Sequence, residues 1–568
     1  MATEENQVEE YEFKESIKNA RKALGLCLCN KFTEAQKFLQ TLDGSCMYHS
    51  LSISTIAYLQ AVLTYEQKYI QLAHEKVKET LKICDKQRKK RSWNESIYSW
   101  IGKPYFDDFS IIELHAELCY AECLLEEALL TFLQDENLIS FVKGGLKIRN
   151  AYQLYRCCLI ALEQNPFSLK GSTTRADFES GVEMGMGTFN LLLSLLPPRV
   201  LKLLEWVGFS GDKEQGLFLL DKGCNSKGLR DAMCGITLLG FHLVVSPLLG
   251  IGDSDISYSS KHLSRYMKTY PDSSLFLYFS GRLMQTQCQI NEALIEYEKS
   301  VSVNIDWKQI HHICYWEMMW CYSFKGDWSN AAIYASILAD ESKWSKSSYK
   351  YMHAAFLIMQ QPECNKDLNQ SKFFKEKIEK LLDEVVQHKQ RIAGKSIPFE
   401  KFAVTRVHKY RETGRLILPG LEIIHIWNGF TMFHKHENTL KEFLLLTEKS
   451  LNGLQEETGL SKHHHDNVCL CKLLQGICLH HLKKNEQAEK VLTEVANSPF
   501  TSHSSKMDSY YPPFAAAEIA FMFKNSGELE KALEYFNYAL ENYSNYGLEN
   551  RLHFRLHSAI ANLKKLIE

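Results

Sequence analysis

Proline and glycine are scarce in this chain, 12 and 29 among 568 residues. A protein built of short strands needs a turn signal roughly every ten residues, so the shortage argues against an all-β fold and leaves helix as the expected state. An excess of either charge is also missing: 66 Lys and Arg stand against 68 Asp and Glu. Nucleic-acid binding draws on surplus cations to neutralise phosphates, and a balanced chain points away from it. One basic run, Lys86-Gln87-Arg88-Lys89-Lys90-Arg91, can be read as a nuclear-entry signal. The favoured reading is a solvated helix end, where cations suit the negative pole of the dipole.

The opening residues, MATEENQVEEYEFKE, are acidic and polar and lack the apolar core of a secretory signal. The expected compartment is cytoplasmic, with nuclear entry or organelle-surface association as lesser alternatives. The 17 cysteines then read as small buried hydrophobes rather than disulfide partners. The Asn-x-Ser sequons at Asn94, Asn369 and Asn542 carry no weight in that setting. Charged residues are also absent from Ala232 to Ile251, a run long enough to cross a bilayer. Three glycines, a histidine and a Ser-Pro interrupt it, so a buried hairpin is favoured over a membrane span.

What is present is a globular composition, 45% hydrophobic and 24% charged. The chain is long for a single compact core, a limit that a solenoid escapes because each repeat buries its apolar face only against its neighbours. Repeats of tetratricopeptide type, helix-turn-helix units of ~34 residues, are legible. Small residues stand at positions 8, 20 and 27, where helices cross closely, and aromatics at 11 and 24 fill the wedge between them. Four segments fit. Gly281, Ala293, Tyr297 and Ser300 mark the first, and Tyr322, Gly326-Asp327-Trp328 and Ala331 the second. Gly476, Ala488 and Leu492 mark the third. Ala520, Phe523, Gly527-Glu528-Leu529, Ala532, Phe536 and Ala539 mark the fourth. Weaker copies carry Ala23, Phe32 and Ala35, then Ala61 and Ala73, and 109–163 reads as long helices. Polar or Pro-containing linkers are expected at 86–108, 163–178, 361–372, 453–466 and 497–513.

Longer blocks carry a more specific likeness. They are CYAECLLEEALLTFLQDENLISFVKGGLKIRNAY (119–152), FNLLLSLLPPRVLKLLEWVGFSGDKEQGL (189–217), HHICYWEMMWCYSFKGDW (311–328), IAGKSIPFEKFAV (392–404), WNGF (427–430) and NRLHFRLHSAI (550–560). Through them the chain resembles the tetratricopeptide repeat protein 39 family, related to the fungal inclusion-body-clearance proteins. The resemblance implies a helical, non-enzymatic scaffold with intracellular protein partners, and it supplies no catalytic residue.

Enzyme motifs fail on inspection. Gly185-Met186-Gly187 and Gly250-Ile251-Gly252 each open a dinucleotide fingerprint, but Asn190 and Asp255 replace the third glycine and no β-branched strand precedes either. Gly208-Phe209-Ser210-Gly211 is one residue short of a nucleophile elbow. His463-His464-His465, Cys469, Cys471, Cys478, His480 and His481 offer soft ligands, yet no CxxC pair is present. Packed thiols beside a polar histidine loop are the favoured reading. No metal and no cofactor are expected.

In a tetratricopeptide array the first helix of each repeat lines the concave groove, mainly through positions 2, 5, 9 and 12. Positions 5 and 9 hold Tyr278 and Arg282, Trp316 and Trp320, Leu473 and Ile477, and Ala517 and Phe521 in the four repeats. The Lys and Asn of a chaperone-tail carboxylate clamp are absent, which disfavours that partner. Tyr278, Arg282, Trp316, Trp320, Leu473, Ile477 and Phe521 are the candidate protein-binding residues, anchors for a helical or extended peptide. The competing and favoured reading is that the chain fills its own groove, with 189–207 and 232–251 as candidate fillers, since a long exposed apolar groove invites aggregation.

The expected architecture is therefore an all-α, tetratricopeptide-type solenoid with irregular N-terminal and central hydrophobic helices. Degenerate repeats occupy 1–178, a hydrophobic region 179–260, a repeat pair 261–360, connecting helices 361–452 and a second repeat pair 453–568. The expected function is a non-enzymatic protein-interaction scaffold. The alternative is an adaptor at an organelle membrane or lipid droplet.

Overall fold

A computed structural model describes every residue except 1, 43, 45, 90–105, 135–137, 197–200, 203, 205–207, 210, 253, 304–305, 365–367, 393–394, 458–460, 500–509 and 568. Helices account for almost all of it. The N-terminal third runs α1 (Ala2–Leu28), α2 (Phe32–Gln40), α3 (Met47–Thr64), α4 (Gln67–Gln87), α5 (Ile111–Gln134) and α6 (Leu138–Gln164). Then come α7 (Arg175–Ser194), α8 (Lys213–Asn225), α9 (Asp231–Gly240) and α10 (Ile256–Thr269). The middle comprises α11 (Ser274–Thr286), α12 (Ile290–Val303), α13 (Lys308–Phe324), α14 (Trp328–Glu341), α15 (Lys346–Cys364) and α16 (Leu368–Gln387). A ladder of two-residue strands, Arg391–Ile392 against Lys395–Ser396, precedes α17 (Pro398–Thr413) and α18 (Pro419–Ile426). The chain ends with α19 (Glu437–Gln455), α20 (His464–His481), α21 (Asn485–Ala496), α22 (Tyr511–Asn525), α23 (Leu529–Glu541) and α24 (Glu549–Ile567).

The four well-marked repeats are α11–α12, α13–α14, α20–α21 and α22–α23, and each is a hairpin of packed neighbours. Their signature residues have a steric cause. A Cβ at Gly281 would lie 2.4 Å from the ring of Tyr297, and one at Gly476 would lie 2.5 Å from Leu492, so position 8 is small because position 24 rests on it. The turns are equally local. Gly326 at φ +74° ends α13, and the Asp327 carboxylate accepts the Asn330 N–H at 3.0 Å to start α14. Ahead of α5, Ser110 and Glu113 exchange side-chain-to-backbone bonds of 2.8 and 3.2 Å, a reciprocal capping box.

The weak N-terminal copies are real hairpins, α1–α2 and α3–α4, with Ala23, Phe32, Ala35, Ala61 and Ala73 buried. Of the expected linkers, 361–372 is largely helical, divided between the end of α15 and the start of α16. The Gly185-Met186-Gly187 lookalike is helix packing. A Cβ at Gly185 would fall 2.0 Å from Tyr155, and one at Gly187 2.8 Å from Leu220, so these glycines let α7 lie against α6 and α8.

One large core runs through the middle and C-terminal arrays, and smaller cores serve the N-terminal third. The two parts are joined where Phe32 stacks on Trp307 at 4.0 Å and 9°. At the same junction Asn30 donates to Asp272 O at 2.6 Å and accepts from Ser274 N at 2.9 Å. The array thereby folds back on itself across more than 240 positions of sequence.

Candidate functional site

The groove of the superhelix is occupied by the chain. Two irregular stretches fill it. The first continues α9 through a π-helical turn, Phe241–Val245, and a final turn, Ser246–Leu249. The second is α18 with the 3₁₀ turn Gly429–Met432 that follows Asn428. Irregular backbone inside a protein leaves carbonyls without helical partners, and each must be satisfied. Here side chains of the surrounding helices do so. Arg282 donates twice to Leu243 O, at 2.9 and 2.6 Å. Arg551 donates to Ile426 O at 2.7 Å and Leu248 O at 3.0 Å, and Asn562 to Ile251 O at 3.0 Å. Asn428 joins the two stretches by donating to Pro247 O at 3.0 Å.

The seven candidate groove residues are consequently not an open surface. Tyr278, Arg282, Trp320, Leu473 and Ile477 are buried, and Trp316 and Phe521 are half-buried. Four of them meet at one place: Arg282, Trp316 and Trp320 surround a void of about 60 Å³ with Pro247, Leu248 and Trp427, while the Tyr278 hydroxyl donates to Glu317 at 3.4 Å. Trp427 lies 5.4 Å from Trp316 and 6.1 Å from Trp320, ring centre to ring centre. Leu473 sits apart from that group, in the core with α18 beside α20, and Ile477 and Phe521 line a separate cavity. Of the two expected fillers, 232–251 takes this place, whereas 189–207 has Phe189 and Leu193 in an N-terminal core and 197–200, 203 and 205–207 outside the described residues; the other stretch inside the groove, 419–433, fell within the expected connecting helices.

The filling is fastened by buried ion pairs. Arg282 reaches Glu317 at 2.6 Å with side chains 7% and 5% exposed. Arg406, on α17, holds Glu422 of α18 through Nε at 3.0 Å and Nη2 at 2.7 Å, and Tyr510 donates to the same carboxylate at 2.6 Å. Both side chains of that pair are 2% exposed. At such burial the arrangement is sustained by its hydrogen bonds, since desolvation alone costs several kcal/mol per ion.

Three constellations deserve a chemical reading. Cys224 Sγ lies 3.3 Å from His262 Nδ1, and His262 Nε2 lies 3.8 Å from Asp221, the order thiol–imidazole–carboxylate. The thiol is 1% exposed and also contacts Tyr266 OH at 3.1 Å and Arg265 at 3.2 Å. Burial pushes its pKa up, which the Tyr266 and Arg265 contacts offset only in part, the opposite of what a nucleophile needs. The His463–His481 cluster is dispersed: Cys471 and Cys478 are fully buried, burial lifting the thiol of Cys471 to about 12, and Cys469 contacts His465 at 3.6 Å. Among the described residues no three His, Cys, Asp or Glu side chains gather as a metal site. Of the elbow lookalike, Ser210 lies outside the described residues.

The third is a cavity of about 290 Å³ at the C-terminal end of the groove, lined by 246–252, 254–256, Thr286, 425–432, α20, α22 and Arg555 of α24. Arg555 pairs with Glu518 at 2.8 Å and lies 3.9 Å over the Phe521 ring. Burial opposes ionisation of Glu518, but Arg555 more than offsets it and holds the carboxyl below its usual range. Burial drives His425 down to about 4 and His481 to about 3, so both rings are neutral at physiological pH. Arg551, Arg555 and Trp427 had no role in the sequence reading, although WNGF and NRLHFRLHSAI contain all three; two arginines four apart on the last helix were the available signal.

A model of the family described as Iml2/Tetratricopeptide repeat protein 39 matches residues 21–482. Tetratricopeptide repeat protein ttc-39B of Caenorhabditis elegans is 34% identical over 563 residues, spanning 97% of this chain and 93% of that protein. The crystal structure of the APC/C hetero-tetramer Cut9-Hcn1 aligns over 95% of each chain at 12% identity, with a TM-score of 0.24. Built of hairpin repeats and matched over most of its length, the chain belongs to the Iml2/tetratricopeptide repeat protein 39 family.

Proposed function

We propose that the chain is a non-enzymatic scaffold of the cytoplasm that binds other proteins on the outer faces of its repeats. The observation that carries this reading is the filled groove. With 241–251 and 419–433 inside the superhelix, Tyr278, Arg282, Trp316, Trp320 and Leu473 pack against the chain's own segments while Ile477 and Phe521 line a cavity, which favours recognition on the surface outside. That surface is not uniformly polar: Ile295 of α12 and Ile333 of α14 are about half exposed, and Leu445 of α19 is 63% exposed. Apolar side chains in a polar surround are the usual contact points for helical or extended peptide segments.

Two of the five cations in the run 86–91 are already engaged in the fold, which favours the helix-end reading over a nuclear-entry signal. Arg88 pairs with Glu117 at 2.9 Å and lies 4.1 Å over the Tyr120 ring, and Lys89 pairs with Asp108. Lys90 and Arg91 fall outside the described residues.

The scaffold reading is tested by proximity labelling in cells with the intact chain beside an Ile295→Glu/Ile333→Glu/Leu445→Glu variant. A defined set of neighbours lost in a variant that melts normally supports it. An unchanged neighbour set rejects the outer faces as the docking surface. The organelle-membrane adaptor stands as the second reading because Asp231–Leu249 has the length and mean hydropathy of a span, 1.9, and only a little over half of it is buried. Flotation with liposomes separates the two: the scaffold stays at the bottom of the gradient with or without salt.

A further inference from the structure

The first two clear repeats carry a strip on their outer face that the fold leaves uncovered. Helical spacing sets Glu292, Ile295, Glu298 and Ser302 along one line of α12, and Asn330, Ile333, Ile337 and Asp340 along the matching line of α14. Ile295 and Ile333 hold the same place in their repeats, two residues after Ala293 and Ala331, and are 51% and 52% exposed. Between them α13, which links the two helices, supplies a floor. Tyr322 of α13 stacks on Tyr334 of α14 at 5.6 Å and 10°, and Tyr315 lies 5.5 Å from the same ring. All three rings are half-buried. Glu298 reaches this floor from α12: burial and then Glu298 raise the Tyr322 phenol, while burial, Tyr322 and Glu298 push that of Tyr334 up to about 12. Apolar and aromatic area thus runs from one repeat to the next instead of being scattered singly.

The same face carries a surplus of negative charge. Residues 290–303 and 322–343 hold six carboxylates, Glu292, Glu296, Glu298, Asp327, Asp340 and Glu341, against three lysines, Lys299, Lys325 and Lys343. Lys299 pairs with Glu296 at 2.6 Å, Asp327 caps α14 through Asn330, and Glu341 lies 3.1 Å from His312. Lys325 donates to Asn291 at 2.9 Å and lies 6.0 Å from the Tyr322 ring, and Lys343 stands past the end of α14. Glu292, Glu298 and Asp340 are exposed and, among the described residues, have no ion-pair partner. The outer helix that follows, α16, is balanced, with four lysines against four carboxylates, so the surplus belongs to the α12–α14 face.

We propose that this strip docks a basic amphipathic helix of a partner protein, its apolar residues lying on Ile295, Ile333 and the tyrosine floor and its lysines or arginines reaching Glu292, Glu298 and Asp340. A helix suits the strip because apolar residues at i, i+3, i+4 and i+7 recur on one of its faces, the same spacing that lines up the strip. The tyrosines add amphipathic contact area of the kind that dominates interfaces. A second copy of the chain fits poorly, since a two-fold contact would set these carboxylates against themselves. The inference rests on the scaffold reading and names the partner class for one of its faces.

The test is fluorescence anisotropy of the full chain with three labelled peptides of about four helical turns: leucine–lysine, leucine–glutamate, and serine–lysine with the same charge but no apolar face. The leucine–lysine peptide should bind at least about tenfold tighter than either of the others, a difference of about 1.4 kcal/mol, and more weakly as salt rises. Glu292→Gln/Glu298→Gln/Asp340→Asn, and separately Ile295→Ser/Ile333→Ser, should each weaken it about tenfold with an unchanged melting temperature. Equal binding of the leucine–lysine and leucine–glutamate peptides, serine–lysine binding as tight, no binding to about 100 μM, or an unaffected neutralised variant overturns the proposal. Self-association of the chain that Ile295→Ser/Ile333→Ser abolishes assigns the face to a second copy and overturns it too. The peptide comparison needs no variant, so it decides the matter even if a variant misfolds. Proximity labelling separates this failure from that of the scaffold reading. Neighbours lost with Ile295→Glu/Ile333→Glu/Leu445→Glu but all kept with the neutralised variant leave the scaffold standing and reject the basic partner; neighbours kept with both reject the outer-face scaffold itself.

Discussion

Replacing Arg282 with Ala removes three donated bonds at once: two to Leu243 O, at 2.9 and 2.6 Å, and one to Glu317 at 2.6 Å. The Glu317 side chain is 5% exposed, so the substitution strands a buried carboxylate, a loss worth about 3–5 kcal/mol. The uncapped Leu243 carbonyl adds about 1–3 kcal/mol unless water enters the π-helical turn. Glu317→Gln alone leaves a neutral amide that still accepts from Arg282, but leaves the guanidinium short of a counter-charge. The double variant Arg282→Ala/Glu317→Gln removes both charges. It should cost clearly less than the sum of the single changes, with a coupling of about 1–3 kcal/mol. Urea unfolding of the four proteins, followed by far-UV circular dichroism and tryptophan emission, gives the cycle. A cost below about 1 kcal/mol for Arg282→Ala, or strict additivity, would refute the claim that this pair fastens the chain inside its own groove.

Other substitutions probe different parts of the argument. Gly281→Ala should destabilise by about 1–3 kcal/mol despite the better helix propensity of Ala, because its Cβ meets Tyr297 at 2.4 Å. Gly25→Ala, in α1 with nothing within 4 Å, should stabilise by about 0.5–1 kcal/mol, and melting curves of the pair read both signs. Burial raises Glu126 to about 8, outweighing the donations from Thr55 and Ser54 that favour the carboxylate, so the folded state favours the protonated acid. That contribution is complete below the ordinary carboxyl pKa and is lost as pH rises toward 8, about 3 kcal/mol between pH 5 and 8. Glu126→Gln should therefore flatten the fall in melting temperature across that range, and an identical pH profile for both proteins would contradict the assignment. Trp316→Ala/Trp320→Ala should melt far lower than the parent, since Trp320 is 5% exposed and both rings pack on Trp427; normal melting would mean that they face solvent.

The hairpins were legible because their signals are local. Gly281 and Tyr297, or Gly476 and Leu492, lie sixteen residues apart and touch within one repeat, so spacing alone reports the contact. The short turn at Gly326-Asp327 is equally self-contained, since its cap reaches only to Asn330. The interior of the groove was legible in part. A charge-free run at 232–251 announces burial, but its π-helical turn depends on Arg282, 39 positions away. The 419–433 stretch was not recognised, for physical reasons. It contains a short helix opened by Leu418 in left-handed geometry, φ 45°, a conformation unusual for leucine and held by tertiary packing. Its fastenings come from Arg406, 16 residues before Glu422, and from Arg551, 125 residues after Ile426. The cavity beside Arg555 is less legible still: six separated stretches of chain meet there, and only their three-dimensional arrangement sets Arg555 against Gly250.

Hydrogen–deuterium exchange of the intact chain at the 419–433 and 241–251 backbone tests the central claim most directly. A groove filled by these stretches predicts that their amides exchange as slowly as those of the repeat helices α13 and α22, and together with them. Exchange of either stretch on the timescale of exposed loops, while the repeat helices stay protected, would mean that the groove opens to solvent and that its seven lining residues are available to a partner after all.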